Sequence, residues 1–332
     1  MKTIAFFNHK GGVGKTTLVY HIAWMMADQG KKVLAVDLDP QANLSSMFLP
    51  DETLEETWPD DEPHKSILAC IEPILEGTGD FRPVYVHKLK ENLHLIAGDL
   101  GLSQFEDKLS ESWPKCLAGD KAAFRAISVF YRIIRQAAEE NNTRTVLIDV
   151  GPNLGTINRA ALLAAEYIVT PLAPDLFSLQ GLKNLGPTIN RWRNDWEQRL
   201  ARKPSDLNIP LPTGKMKPAG YIIMQHVERL SRPVKAYQKW VEKIPQTYRK
   251  YVLDIKEDNS TSNRESHNEI GLIKNYQSLM PLAQDARKPI FLLKPAEGAI
   301  GAHAQSVSKC YVEFEKITES VLNRVKDEKL IP

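Results

Sequence analysis

The chain alternates between two hydrophobic rhythms. Short, nearly continuous apolar runs give way to longer stretches in which apolar residues recur every three or four positions. The first run, Thr3-Ile4-Ala5-Phe6-Phe7, stops at a cluster of glycines and reads as a buried strand. From Thr16 to Gln29 the apolar residues Leu18, Ile22, Met25 and Met26 keep helical spacing, and Gly30 supplies a stop. Lys32 to Asp37 is the next strand. Strand, loop, helix and strand in this order form a βαβ unit, and such a crossover implies a parallel sheet.

The alternation continues. Ser66–Leu75 predicts a helix, Leu93–Ala97 a strand, and Asp120–Glu140 one long helix through Ala123, Ile127, Phe130, Ile134 and Ala137. Thr145–Asp149 and Tyr167–Pro171 are strands, and Leu179–Leu200 is the next helix. Ala219–Met224 reads as strand, and Pro233–Lys243 and Val307–Val325 as helices. Pro50–Pro63 breaks the pattern. It holds seven acidic residues and reads as a solvated loop. There is no internal repeat. The expected fold is α/β: a single doubly wound, mostly parallel sheet flanked by helices. It forms one continuous domain over 1–332, with an inserted acidic loop around 50–63 and a C-terminal packing helix over 307–325.

Composition narrows the classes. The 332 residues are 42% hydrophobic and 25% charged, ordinary for a globular protein. No apolar run is long enough to span a membrane. The N-terminus lacks the pattern of a signal peptide, so a cytoplasmic protein is expected. Cys70, Cys116 and Cys310 show no metal spacing and read as reduced thiols. The net charge of +2 gives no global argument for nucleic acid, so any such argument rests on local clusters.

The chemistry concentrates in His9-Lys10-Gly11-Gly12-Val13-Gly14-Lys15-Thr16-Thr17. This segment nearly fits the phosphate-loop pattern G-x-x-x-x-G-K-[ST], except that His9 stands where the pattern has glycine. Glycines between a strand and a helix expose backbone N–H groups as an anion nest. Gly11, Gly12 and Gly14 let phosphates approach, Lys15 reaches the β- and γ-phosphates, and the Thr16 hydroxyl suits Mg²⁺. Three carboxylates stand at strand ends on the same expected edge: Asp37, Asp39 and Asp149. Gly151 follows closely and can sense a γ-phosphate through its N–H. Lys10 is a second cation at the loop's mouth, five residues before Lys15.

The segments HKGGVGKTT, VDLDPQANLS and LIDVGPNLGTINRAALLAAEYIVTPLAPDLFSLQGL together resemble the ParA/MinD partition ATPases, whose phosphate loop is a deviant Walker A motif, and most closely the ParA branch. The resemblance runs from Lys2 to about Leu200, with a looser echo over Ile273–Leu293. It implies ATP and Mg²⁺ as cofactors and a loop, 10–17, that binds nucleotide through Lys10, Gly11, Gly12, Val13, Gly14, Lys15, Thr16 and Thr17. It also implies that Lys10 reaches the partner subunit's nucleotide in an ATP-bound homodimer. Asp39 would position or activate the attacking water, and Asp149 would hold Mg²⁺ through water, with Thr16, Asp39 and Asp149 as the metal set. Asn275 falls where family members contact the purine. Asn153 departs from the serine often found there. The implied activity is slow, partner-stimulated ATP hydrolysis that segregates plasmid, chromosome or other cargo on the nucleoid. A ParB-like or cargo-adaptor protein is the implied partner.

Family members differ in the surface they bind. The last helix mixes both charges on its polar face, which suits core packing better than a membrane anchor. Two segments are basic: Arg229–Lys250, with the single acid Glu242, and Lys183–Lys203. Arg229, Arg232, Lys235, Lys239, Arg191 and Arg193 are the candidates for non-specific DNA contact. The interleaved Trp192 and Trp196 lie at i, i+4 and are expected to pack rather than to stack on bases. No long segment precedes the first strand, so operator reading is not expected. The rival functions are a MinD-like membrane ATPase, a relative of the nitrogenase iron protein, which needs bridging cysteines, and a non-catalytic ATP-gated regulator.

Overall fold

The first apolar run folds as strand β1 (Lys2–Phe6) in the computed structural model, which describes residues 1–226, 228–229, 232–233, 235–255, 268–276 and 278–326. The glycine loop leads into α1 (Lys15–Asp28) and β2 (Val33–Asp37). Next come α2 (Asn43–Phe48), α3 (Asp51–Thr57), α4 (Ile67–Glu76), β3 (His87–Lys90) and β4 (Leu93–Ile96). Helices α5 (Phe105–Lys115), α6 (Lys121–Ile127) and α7 (Val129–Glu140) precede β5 (Thr145–Asp149), α8 (Thr156–Ala164), β6 (Tyr167–Leu172) and α9 (Leu176–Leu200). After β7 (Lys217–His226), the two-residue strands β8 (Glu228–Arg229) and β9 (Arg232–Pro233) pair with each other. Then come α10 (Lys235–Val241), α11 (Ile244–Tyr251), β10 (Glu269–Lys274), α12 (Met280–Asp285) and α13 (Ala302–Lys326).

The sheet has eight strands in the order β10-β7-β6-β1-β5-β2-β4-β3. Every neighbouring pair is parallel except β3 with β4. This is the mostly parallel, helix-flanked P-loop NTPase architecture expected from the pattern. Strand β1 lies between β5 and β6, and a crevice opens beyond strand ends where the order reverses. Register pairs Phe6 with Asp149 and Asp37 with Asp149, so the loop after β1 and both carboxylates share one edge.

Alternation along the strands divides the core. Ile4 and Phe6 face α1 and α13, among Leu18, Ile22 and Phe314. Ala5 and Phe7 face the opposite side, with Ile148, Phe130 and Trp196. Trp196 is fully buried, donates from Nε1 to the Pro212 carbonyl at 2.9 Å and stacks on Trp113. Trp192 is buried with it, so packing is the role of both tryptophans.

Four expectations change. The acidic stretch is no simple loop. Its first part is helix α3, with Asp51 and Glu52 in the first turn, where the helix dipole favours anions. Its second part is tied to the end of β4: Trp58 Nε1 donates to the Gly98 carbonyl at 3.0 Å, and His64 pairs with Asp99 at 2.7 Å. The expected helix over 120–140 is two helices that meet at Ser128. Its hydroxyl donates back to the Phe124 carbonyl at 2.7 Å, a bond that competes with the helical ladder. The expected helix over 233–243 is the shorter α10, followed by a separate α11. The C-terminal helix extends beyond 307–325, to Ala302–Lys326.

Candidate functional site

The loop after β1 takes its shape from two left-handed positions, Gly12 (φ 70°) and Gly14 (φ 84°). Gly14 is also the N-cap of α1. Position 9 does not need the left-handed region, which explains why histidine is tolerated there. The His9 ring instead packs over Gly181 of α9, where an added Cβ would lie 2.8 Å from it. Burial, then the Lys15 charge, hold the His9 imidazole below its ordinary pKa, so it is neutral. Asn8, buried beneath the loop, donates to the Pro171 carbonyl at 2.7 Å and accepts from the Lys10 N–H at 3.0 Å.

The two lysines diverge. Lys15 is buried, and its Nζ donates to the Lys10 carbonyl at 3.3 Å. Burial lowers its pKa, while the charges of Asp149 and Asp39 partly restore it. Lys10 points out of the loop. Its ammonium pairs with Asp175, the N-cap of α9, and lies 5.7 Å from the centroid of the exposed Phe177 ring.

The three carboxylates also separate by role. Asp37 is fully buried. It accepts from the Ser45 N–H (2.8 Å), the Ser45 hydroxyl (2.7 Å) and the Asp39 N–H (3.2 Å). It therefore ties β2 to α2 through Ser45. Asp39 lines the cavity, accepts from the Gln41 N–H at 3.0 Å and faces Gly151, where an added Cβ would lie 3.3 Å from Asp39 Oδ1. Asp149 is fully buried, and neither of its oxygens has a hydrogen-bond partner among the described residues. Burial, then the Asp37 charge, push its carboxyl well above the usual range; the Thr16 side chain and Lys15 oppose this. Such a carboxylate needs a cation or water to become comfortable as an anion.

The loop after β5 is braced from below. The buried Asn158 donates to the carbonyls of Gly151 (2.8 Å) and Asn153 (2.7 Å). Asn153 accepts from the Gly155 N–H at 2.9 Å, an Asx turn that accounts for the asparagine at this position. Glu106 of α5 accepts from the Ile157 N–H at 3.0 Å and from the Thr156 N–H, capping α8.

A cavity of about 660 Å³ runs from the glycine loop, Lys15, Thr16 and Thr17 past Asp39 to Met280, Gln284 and Arg287. Asn275 is not among the lining residues. A turn closed by the Leu279 N–H on the Tyr276 carbonyl (2.8 Å) brings α12 over the cavity instead. Arg287 adopts φ 47° and donates to the Leu49 carbonyl and to Asp51, linking the cavity wall to the acidic helix. Sequence reasoning missed Asn8, Glu106, Asp175 and the α12 wall, because each acts through contacts distant in the chain, and it missed Asn158, whose bonds to Gly151 and Asn153 depend on how the loop after β5 folds.

Of the basic candidates, the side chains of Arg229, Arg232 and Lys235 lie outside the described residues. Arg191 and Lys239 are exposed. Arg193 is engaged internally: it donates to the carbonyls of Lys215 (2.9 Å) and Met216 (3.0 Å). The two basic segments pack together where α11 crosses α9. There the Tyr251 carbonyl would lie 1.7 Å from a Cβ at Gly186. Lys183 and Lys250 both approach the Tyr251 ring, so these two lysines, from α9 and α11, belong to one surface.

A parallel sheet with a glycine phosphate loop at its order reversal and carboxylates at the adjoining strand ends defines a P-loop ATPase of the SIMIBI class. A family model described as an AAA domain matches residues 1–202, and the chain belongs to that family. It is related to the ParA/MinD/CobQ group of ATPases. It is 31% identical over 191 residues to the virulence plasmid ParA family protein pGP5-D of Chlamydia psittaci, covering 56% of this chain and 62% of that protein. It is 30% identical over 201 residues to the chromosome partitioning protein ParA of Caulobacter vibrioides, covering 60% and 66%. The chain thus spans less than two thirds of the length of most curated relatives it matches. Among solved structures it is similar to a Corynebacterium diphtheriae protein at TM-score 0.69 and 26% identity, covering 86% of this chain and 97% of that one. It shares the fold of an ATP complex of a Cyanothece McdA variant at TM-score 0.63 and 16% identity, covering 96% of each.

Proposed function

We propose that the chain acts as one ParA-like ATPase domain over 1–332. In this reading it binds ATP and Mg²⁺, closes into a homodimer, binds DNA non-specifically and positions cargo until a ParB-like or adaptor partner stimulates hydrolysis. The observation that carries this reading is the split between the lysines: Lys15 buried within the phosphate loop, Lys10 half-exposed at its mouth.

The backbone N–H groups of 11–17 cradle the phosphates and Lys15 neutralises them. Thr16 and Asp149 would hold Mg²⁺, with Asp39 the third candidate; the buried Asp149 carboxylate, beside Thr16 and with no geometric hydrogen bond to its oxygens among the described residues, fits that task. Among the described residues no cluster of His, Cys, Asp or Glu could chelate a metal by itself, which fits an ion held largely by water and phosphate. When bound, Mg²⁺ supplies charge neutralisation at the phosphates. Asp39, held at the cavity wall opposite Gly151, orients the attacking water and receives its proton. Gly151 offers its N–H to the terminal phosphate. Lys10 stabilises charge on the partner's nucleotide, a contact worth roughly 1.5–3 kcal/mol. Loss of the terminal phosphate removes that contact, which makes the dimer a timer.

DNA contact falls to the joined face of α9 and α11, with Arg191 and Lys239 nearby in sequence. A monomer with a few lysines binds DNA at about 10⁻⁴–10⁻⁶ M, and a clamped dimer presents twice the contacts. The apolar face of α13 is buried through Cys310, Phe314, Ile317, Val321 and Val325, so that face is not open to lipid. The three cysteines are buried in two separate cores, which does not suit a shared metal cluster.

Light scattering and DNA cosedimentation with ATPγS–Mg²⁺ against ADP–Mg²⁺ test the reading. A dimer that retains DNA only with ATPγS is expected. Single subunits at saturating ATPγS, or binding to anionic vesicles and not to DNA, would overturn it.

A further inference from the structure

The Lys10 ammonium does not stand free at the mouth of the phosphate loop. It is paired with Asp175 of the same chain, beside the exposed Phe177 ring. We propose that Asp175 is a positioning residue that stores Lys10 on its own subunit until a nucleotide-loaded second copy takes the lysine over. The inference rests on the reading of Lys10 as a lysine that acts across a dimer.

Three observations carry it. First, the pair is accessible: the Lys10 and Asp175 side chains are 29% and 35% exposed, so a facing surface can reach them. Exposed pairs are weak and screened, which makes this one displaceable by a polyphosphate. Second, Asp175 is not stranded when Lys10 leaves. Its Oδ1 accepts from the Ser178 N–H at 2.8 Å at the start of the 25-residue α9, and the buried Ser178 hydroxyl beside it, with no other hydrogen-bond partner among the described residues, also favours the carboxylate. A helix N-terminus and a neighbouring hydroxyl both stabilise a carboxylate. Third, the stored position leaves the nest intact. Lys10 keeps its backbone N–H on Asn8 and its carbonyl on Lys15, so only its side chain has to move. The Asp175 carboxyl lies below its ordinary pKa; burial opposes this, while Lys10 and the Ser178 N–H outweigh it.

Exchange of Asp175 for phosphate therefore sets a threshold for dimer closure. Asp175→Asn keeps a good N-cap and removes the competing charge. Sedimentation with saturating ATPγS–Mg²⁺ should place its monomer–dimer midpoint roughly threefold lower in protein concentration than wild type, the scale of one exposed ion pair. Asp175→Ser should match it, and Asp175→Glu should return the midpoint toward wild type. An unchanged or higher midpoint in Asp175→Asn overturns the exchange while leaving the dimer reading intact. A second readout uses the nucleotide-free monomer. Carboxyl NMR should show the Asp175 titration moving to higher pH in Lys10→Met, and no movement overturns the stored pair. Wild type that stays monomeric in ATPγS sinks the dimer reading and the exchange with it, yet the titration still reports whether the pair exists.

Discussion

The phosphate-loop edge and the α9–α11 face present opposite physical problems. At the edge, charges sit in the dry interior: Lys15, Asp37, Asp39 and Asp149 are all buried, and each needs a specific neighbour. On the α9–α11 face, Lys183 and Lys250 approach the Tyr251 ring and Lys243 the Trp240 ring, nearer the surface. Buried charges act strongly, at short range, and are little affected by salt; exposed ones act weakly, collectively and through counterions. The first region suits chemistry on one ligand. The second suits adhesion to a repeating polyanion.

The largest expected effect breaks the first region alone. Lys15→Ala removes the only ammonium of the loop that is buried among the carboxylates, leaving Asp149 without its compensating charge. ATP affinity should fall at least about a hundredfold, the loss expected of a desolvated charge-assisted contact. Calorimetric titration with ATPγS–Mg²⁺ measures it, and nucleotide-independent DNA binding should persist. Undiminished ATP affinity would remove Lys15 from the site.

Next comes the junction that assembles the second region. Gly186→Ala places a methyl group 1.7 Å from the Tyr251 carbonyl, so α11 must shift from α9. Overpacking of this kind costs about 3 kcal/mol. Thermal unfolding should fall by several degrees, and DNA retention should drop more than ATP affinity. An equal loss of both would mean that the two regions are not separable.

How much of each region was legible follows the same division. The loop, its lysines and the strand-end carboxylates are local: Gly14-Lys15-Thr16 after one apolar run and Asp149 after another announce themselves by spacing. The parallel sheet followed from the alternation of strand and helix. What stayed hidden depends on distant chain segments. Nothing near Asp175 says that it meets Lys10, and nothing near Glu106 says that it caps α8. Composition marked both basic segments but did not reveal that Gly186 lets them join, nor that Arg193 is spent on its own backbone. The break at Ser128 was invisible to apolar periodicity, which continues across it while the backbone does not. The acidic stretch read as solvent-facing because its charges are; its anchors, Trp58 and His64, are single residues with remote partners.

A pH prediction sharpens the contrast further. His21 is fully buried behind the cavity; its Nδ1–H donates to the Thr17 carbonyl and its Nε2 accepts from the Ile290 N–H at 3.2 Å. Burial lowers its pKa to about 4, against the Thr17 bond that raises it. The unfolded chain takes up this proton near pH 6.5, so between about 6.5 and 4 it binds more protons than the folded one. Stability from this group is therefore complete above about pH 6.5 and is lost as pH falls toward 4, by about 2–3 kcal/mol at most. Urea midpoints at pH 7.5 and 5 should differ less in His21→Gln than in wild type. Equal differences would show that other groups carry the acid sensitivity.

The smallest effect tests whether the two regions are coupled. Lys250→Gln removes one exposed charge, 5.8 Å from the centroid of the Tyr251 ring, and should weaken DNA binding only a few fold at moderate salt. Its diagnostic value lies in the salt slope. Each phosphate contact contributes about 0.9 to the slope of log affinity against log salt. If a nucleotide-closed dimer binds DNA, every Lys250 contact occurs twice, and the substitution should flatten the slope by about 1.8. If single subunits bind, the change is about 0.9. With ADP in place of ATPγS the smaller value is expected, because the phosphate loops no longer hold two copies together. A slope that responds to the nucleotide in this way ties the dry edge to the wet face. A slope change independent of nucleotide would mean that the buried charges and the exposed ones serve separate ends.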